Sequence, residues 1–140
     1  MSKIPHVLLI DDNDADNIFH EIVIKQTDIP VELTAINDST KAIEYLERGI
    51  NPENGDENLL PDIVFLDVNM PAINGFELLD RFRKIPDPYN RKKRIKFFIL
   101  STAPNSGPIV PKTYGDLIRK YLPKPLTRSV FQDILNGHTN

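Results

Sequence analysis

Ile63-Val64-Phe65-Leu66 is a continuous apolar run that ends on a carboxylate, Asp67, after which the chain breaks into Pro71 and Gly75. Four apolar residues without alternation suit a strand buried on both faces of a parallel sheet. Asp67 then falls where the strand stops, at the carboxyl edge, where open α/β sheets gather ligands and chemistry. That placement makes Asp67 a candidate nucleophile.

The same pattern recurs at the start of the chain. Val7-Leu8-Leu9-Ile10 closes on Asp11-Asp12-Asn13-Asp14. Asn13 or Asp14 can cap the helix that follows; Asp14 is the better placed, which leaves Asp11 and Asp12 free. In that helix Ala15, Ile18, Phe19, Ile22 and Val23 recur at three- and four-residue spacing, the pattern of one buried face, and Pro30 stops any continuation. Residues 31–36 alternate, as an edge or half-covered strand does. Asn37-Asp38-Ser39 is a turn and cap for a helix carrying Ala42, Ile43 and Leu46, with Gly49 placed as its left-handed C-terminal cap. A polar loop at 51–58 delivers the chain to the Asp67 strand.

After Gly75, Leu78, Leu79, Phe82 and Ile85 share one helical face, which Pro86-Asp87-Pro88 ends. Arg91-Lys92-Lys93-Arg94 reads as a solvated loop, since four charges are too few for a nucleic-acid footprint. Residues 95–100 form a strand that ends in Ser101-Thr102. Pro104, Pro108 and Pro111, with Gly107 and Gly115, leave room for at most a short helix across 103–119. Tyr121-Leu122-Pro123 reads as an edge strand, where proline is tolerated, and Lys124-Pro125 follows. Thr127 can cap a last helix with Val130, Phe131, Ile134 and Leu135 inward. Strand and helix alternate five times. Right-handed crossovers then give an α/β fold, a parallel sheet with helices on both faces, flavodoxin-like or Rossmann-like in pattern.

Length favours a single domain over all 140 residues. A net charge of -3 implies no general affinity for nucleic acid or anionic membrane. The absence of cysteine excludes disulfides, thiol catalysis and thiolate metal sites. No signal peptide or membrane span is visible, so the expected location is cytoplasmic. His6, His20 and His138 are too scattered for a metal site, and Phe19, Phe76, Phe82 and Phe131 are core candidates.

The polar groups at strand ends define the chemistry. Asp11 and Asp12, Asp67, Ser101 and Lys124 each follow a strand, so the fold would gather them on one edge. Several carboxylates together resist ionising, and a divalent cation relieves that. Oxygen ligands without Cys or a nearby His point to Mg²⁺ or Mn²⁺ rather than zinc. A hydroxyl and an ammonium could hold the remaining oxygens of a phosphoryl group. Such a set suits phosphoryl transfer onto a carboxylate, where catalysis is mostly positioning and charge neutralisation.

With these residues in place, the sequence resembles the receiver domain of two-component response regulators, of the single-domain chemotaxis-regulator type. The resemblance rests on Asp11-Asp12, on Asp67-Val68-Asn69-Met70-Pro71 with Gly75, on Ser101 and on Lys124-Pro125. It implies a five-stranded (βα)5 fold and Asp67 as the phosphoacceptor. Asp12 and Asp67 would bind Mg²⁺ through side chains and Asn69 through its backbone carbonyl, with Asp11 assisting the metal. Ser101 would be the switch hydroxyl and Tyr121 the aromatic switch. Lys124 would pair with Asp67 before phosphorylation, and Lys124-Pro125 is a candidate cis bond. The implied partners are a sensor histidine kinase or phosphotransfer protein and a downstream protein, with a homodimer also open to the family.

Two departures stand out. Thr102 occupies a position where the family usually has a small residue, so it either narrows access to Asp67 or is itself the switch hydroxyl; the spacing from Ile99 and Leu100 favours Ser101. The prolines at 104–111 fall where the family's fourth helix begins and predict an altered output face. The loop at 51–58 and the basic run at 91–94 resemble receivers found with phytochrome-type kinases. Two rivals remain. A haloacid-dehalogenase-type phosphatase also uses a strand-end Asp but needs an acid two residues on, where Asn69 stands. A receiver-fold interaction module that is never phosphorylated would not need the full acid, hydroxyl and lysine set.

Overall fold

The strand that carries Asp67 spans Ile63–Asp67 (β3) and is buried along its whole length. In the computed structural model, which describes residues 4–51, 60–70, 73–101 and 116–137, it lies at the centre of a five-stranded parallel sheet. The other strands are His6–Ile10 (β1), Glu32–Ile36 (β2), Lys96–Ser101 (β4) and Ile118–Pro123 (β5), in the order β2-β1-β3-β4-β5. This is the doubly wound flavodoxin-like arrangement, and the chain reverses its direction of progress between β1 and β3. Four α-helices lie among the described residues: Asp14–Lys25 (α1), Ser39–Ile50 (α2), Gly75–Lys84 (α3) and Arg128–Gly137 (α4).

The apolar runs fail to alternate because both faces of the sheet are covered. Leu8, Ile10, Val64, Leu66, Phe97 and Ile99 pack with Leu46 of α2 and Phe82 of α3. Val7, Leu9, Phe65 and Phe98 point the other way and pack with Ile24 of α1 and Phe131 of α4. β2 is a half-covered edge strand, as expected, but its burial does not follow the alternation: Leu33 is partly buried, while Ala35 on the same face is exposed and Thr34 on the other is partly buried. β5 is the opposite edge and is longer than the three residues read from sequence. Thr127 caps α4 by accepting from the Val130 N–H at 3.2 Å.

Three local expectations need correction. The buried face of α1 is Asn17, His20, Val23 and Ile24, whereas Ile18, Phe19 and Ile22 are about half exposed. The apolar residues of α1 therefore form two stripes, and the polar pair Asn17 and His20 turns inward because each finds a hydrogen-bond partner there. The cap of α1 is Asn13, whose side chain accepts from the Asp16 N–H, while Asp14 is the first helical residue and accepts from Asn37. Gly49 is not a left-handed cap; it lies inside α2, which ends at Asn51 in an extended conformation.

The basic run at 91–94 has more structure than a solvated loop. Arg91 donates to the Gly49 carbonyl in the last turn of α2, and the Lys92 ammonium donates to the Arg83 carbonyl near the end of α3. The cations thus sit at the negative ends of two helices. Asp87 accepts from the Arg91 and Lys92 N–H groups and holds the turn. The run directly precedes β4, at the end opposite Ser101, and these side-chain contacts are made to α2 and α3.

At that edge one glycine is required. A Cβ on Gly75 would lie 2.8 Å from the Val68 Cα and 2.9 Å from the Asp67 carbonyl oxygen. The start of α3 therefore rests directly on the end of β3. Asn74 and Glu77 close a capping box there, each side chain accepting from the other's backbone N–H. Most of the loop expected at 51–58, the segment 102–115 with Thr102 and the prolines, and His138 lie outside the described residues.

Candidate functional site

Register brings the polar strand ends together. Ile10 pairs with Leu66 across β1 and β3, so Asp11 and Asp67 follow on adjacent strands. Asp67 pairs with Leu100 and Ser101 with Pro123, so Ser101 at the end of β4 and the backbone of Lys124 just after β5 lie at the same edge of the sheet, on the other side of β3 from β1. One oxygen from each of Asp11, Asp12 and Asp67 lies within 4.8 Å of the others. Asp11 and Asp67 are buried, and Asp12 is exposed.

Each buried carboxylate is fixed by the backbone. The Asn13 N–H donates to Asp11 Oδ1 at 2.9 Å, and the Asn69 N–H donates to Asp67 Oδ1 at 3.0 Å. Both are turns in which an aspartate accepts from the amide two residues on. They leave the second oxygen of each carboxylate directed into the site. Asn17 reinforces the arrangement by donating its side-chain amide to the Asp11 carbonyl at 2.8 Å.

Lys124 supplies the positive charge. Its ammonium donates to Asp11 Oδ2 at 2.6 Å and to Asp16 Oδ2 at 2.9 Å, and lies 3.5 Å from Asp67 Oδ2. The pairing with Asp67 that the resemblance implies is present, and Asp67 is the most distant of the three carboxylates that share the ammonium. The peptide bond between Lys124 and Pro125 is cis, as expected. Burial alone would lower the pKa of Lys124, yet its hydrogen bonds to Asp11 and Asp16 and the charge of Asp67 outweigh that and raise it. For Asp67 burial dominates and pushes the pKa up; the Asn69 N–H and Lys124 pull the other way without cancelling it. An ammonium shared among several carboxylates leaves Asp67 short of compensating charge.

Ser101 is buried at the end of β4, where its carbonyl accepts from the Lys124 N–H at 3.0 Å. Tyr121 packs partly buried against the core formed with α2 and α3, and its hydroxyl is buried without a hydrogen-bond partner among the described residues. Burial raises its pKa. Asn69 is exposed beside Asp67. The structure thus brings together Asp11, Asp12, Asp67, Asn69, Ser101 and Lys124, with Tyr121 two strands from Asp67, and does not describe Thr102.

Sequence reasoning missed Asp16 and undervalued His20. Asp16 lies on the first turn of α1, and His20 lies one turn further along the same face. The signal was their i, i+4 spacing behind the acidic pair, which becomes meaningful only when α1 is known to lie against the loop after β5. The donor set is all oxygen, clustered and partly buried, which fits a hard divalent cation such as Mg²⁺.

The comparisons agree with this geometry. Residues 7–136 match the family model described as the response regulator receiver domain. The chain is 30% identical over 118 residues to response regulator Rcp1 of Synechocystis sp., covering 84% of this chain and 75% of that protein. A two component response regulator from Cytophaga hutchinsonii has a crystal structure that superposes with a TM-score of 0.74, at 28% identity and 97% coverage of both chains. The phosphorylated cyanobacterial phytochrome response regulator RcpA superposes with a TM-score of 0.68 at 27% identity, over 97% of this chain and 91% of that one. With the acidic cluster, the lysine and the strand order already in hand, the chain belongs to the response regulator receiver domain family of two-component signalling.

Proposed function

We infer that residues 1–140 act as a single phosphoacceptor receiver in a phosphorelay, with Asp67 taking a phosphoryl group from the phosphohistidine of a histidine kinase or phosphotransfer protein. The observation that supports this most is the convergence of Asp11, Asp12, Asp67 and Lys124 at one edge of the sheet. In the transfer, an Asp67 carboxylate oxygen forms a bond to phosphorus as the N–P bond of phosphohistidine breaks and the imidazole leaves. The Asn69 N–H holds the other Asp67 oxygen and so orients the attacking one. Mg²⁺, or Mn²⁺ in its place, held by Asp11, Asp12, Asp67 and the Asn69 carbonyl, would neutralise charge on the incoming phosphoryl oxygens.

Lys124 is free to shift from Asp11 and Asp16 toward a new phosphoryl oxygen, and the Ser101 hydroxyl can approach another. Movement of Ser101 at the end of β4 leaves room for Tyr121 on the neighbouring strand to repack, which alters the surface offered to a downstream protein or to a second copy. The half-exposed Ile18, Phe19 and Ile22, on the helix that begins beside Asp12, offer an apolar contact for the protein that delivers the phosphoryl group. Such a protein is a signalling phosphoacceptor rather than a turnover enzyme, and works in the cytoplasm where kinase domains reside. No helix among the described residues is long and apolar enough to cross a membrane. Phos-tag electrophoresis after incubation with acetyl phosphate and Mg²⁺ tests the reading. A shifted band is expected for the wild type and none for Asp67→Asn; equal labelling of the two would defeat it.

A further inference from the structure

His20 is 2% exposed and lies on α1, one turn beyond Asp16. Its Nε2 accepts a hydrogen bond from the Leu126 N–H at 3.2 Å. The segment 124–126 has only two backbone N–H groups, because Pro125 has none. The Lys124 N–H is taken by the Ser101 carbonyl at the end of β4, and the Leu126 N–H is taken by His20. One turn back on the same helical face, Asp16 holds the Lys124 ammonium at 2.9 Å. Helix α1 therefore grips this loop at two points, the backbone after Pro125 and the tip of the lysine.

We propose that His20 is a positioning residue for Lys124, fixing the loop after β5 through the Leu126 N–H so that the ammonium stays within reach of the phosphoryl site. A neutral imidazole with its proton on Nδ1 is the form that can accept this bond. An apolar residue at 20 would leave the Leu126 N–H without its acceptor in a buried setting, and the loop would shift to find another. Asp16 alone cannot compensate, because it holds the end of a long, flexible side chain and not the backbone from which that side chain starts. His20 makes no described hydrogen bond to Asp67 or to the carboxylates that would hold a cation, and the contact it does make is with the loop that carries Lys124. The proposal rests on the phosphoacceptor reading for its functional consequence, but the clamp itself can be read separately.

The test compares wild type, His20→Leu and His20→Gln, the glutamine offering a side-chain oxygen that can replace the accepting nitrogen. One readout, without divalent cation, is NMR: exchange protection of the Leu126 amide and the Lys124 ammonium signals. The other is titration with beryllium fluoride in saturating Mg²⁺, with Mg²⁺ affinity measured alone. Leucine is expected to remove the Leu126 protection and broaden the Lys124 signals. It should also weaken beryllium fluoride binding by about tenfold, the scale of one buried hydrogen bond, while Mg²⁺ affinity stays within about twofold. Glutamine is expected to restore both readouts. Retained Leu126 protection in His20→Leu, equal beryllium fluoride affinity in all three proteins, or a glutamine variant as weak as leucine would each overturn the proposal. A wild type that binds Mg²⁺ but takes up no beryllium fluoride would instead overturn the phosphoacceptor reading, and the NMR readout would still decide whether the clamp exists.

Discussion

Lys124 lies 2.6 Å from Asp11 and 3.5 Å from Asp67, so the ammonium at this site leans toward β1 and away from the strand that carries the phosphoacceptor. Asp16 draws it the same way from α1. The consequence is an electrostatic asymmetry. Asp11 is well compensated, while Asp67 remains a buried carboxylate whose pKa is raised, first by burial.

A raised folded-state pKa for an acid means that the ionised form costs stability. That cost is absent below the unfolded value of about 3.9 and is incurred as pH rises through the folded value. Asp67→Asn should therefore stabilise the protein at neutral pH without divalent cation, raising Tm by about 3 °C, because the amide keeps its acceptance from Asn69. Thermal melts should show the gain shrinking when Mg²⁺ is added, since the wild type alone has the full carboxylate set. An unchanged or lower Tm for the variant in chelator would show that Asp67 is not electrostatically frustrated.

Lys124→Met should act in the opposite direction. It strips the positive charge from Asp11 and Asp67, both buried, and a broken buried pair costs about 3–5 kcal/mol. The pKa of Lys124 is raised, so the wild-type contribution is complete below about 10.4 and is lost as pH climbs through the folded value. Denaturant unfolding at pH 7 should show the loss, with partial recovery on adding Mg²⁺.

His20 gives a separate acid signature. Burial first, then the charge of Lys124, lower its pKa against the opposing pull of Asp16 and Asp11. A depressed pKa for a base makes its stabilisation complete above about 6.5, and it is lost as pH falls below that through the folded value. The stability of wild type relative to His20→Gln should therefore fall as pH drops below about 6.5. A difference that does not vary with pH would mean that His20 does not titrate with the fold.

Gly75→Ala tests how closely α3 rests on β3. The added methyl would lie 2.8 Å from the Val68 backbone and must push it away. A loss of about 2 kcal/mol is expected, with weakened Mg²⁺ binding because the displaced segment connects Asp67 to Asn69. Wild-type stability together with wild-type Mg²⁺ affinity would show that the contact relaxes without moving the site.

Most of the sheet and the acidic set could be read from sequence because both leave local signals. The runs at 7–10 and 63–66 fail to alternate since helices cover both faces, and Asp67 and Ser101 end their strands while Asp11 and Lys124 directly follow theirs. What stayed hidden depends on which side chain faces which neighbour. The apolar spacing of Ile18, Phe19 and Ile22 looked like a buried face, but Asn17 and His20 occupy that face through hydrogen bonds to residues 6 and 106 positions away. Gly49 looked like a helix end because glycine often is one, yet it lies within the last turn of α2, where Arg91 from across the fold donates to its carbonyl. The distribution of Lys124 among Asp11, Asp16 and Asp67 was likewise invisible, since it is set by the packing of α1 against the loop after β5.

The most direct measurement is the chemical identity of the phosphorylated residue. The protein would be treated with phosphoramidate and Mg²⁺, the acyl phosphate reduced with borohydride, and the digest mapped by tandem mass spectrometry. Reduction at Asp67 alone, absent when Mg²⁺ is chelated, is the predicted result. Modification at Asp11, Asp12 or elsewhere with Asp67 intact would contradict the assignment of Asp67 as phosphoacceptor.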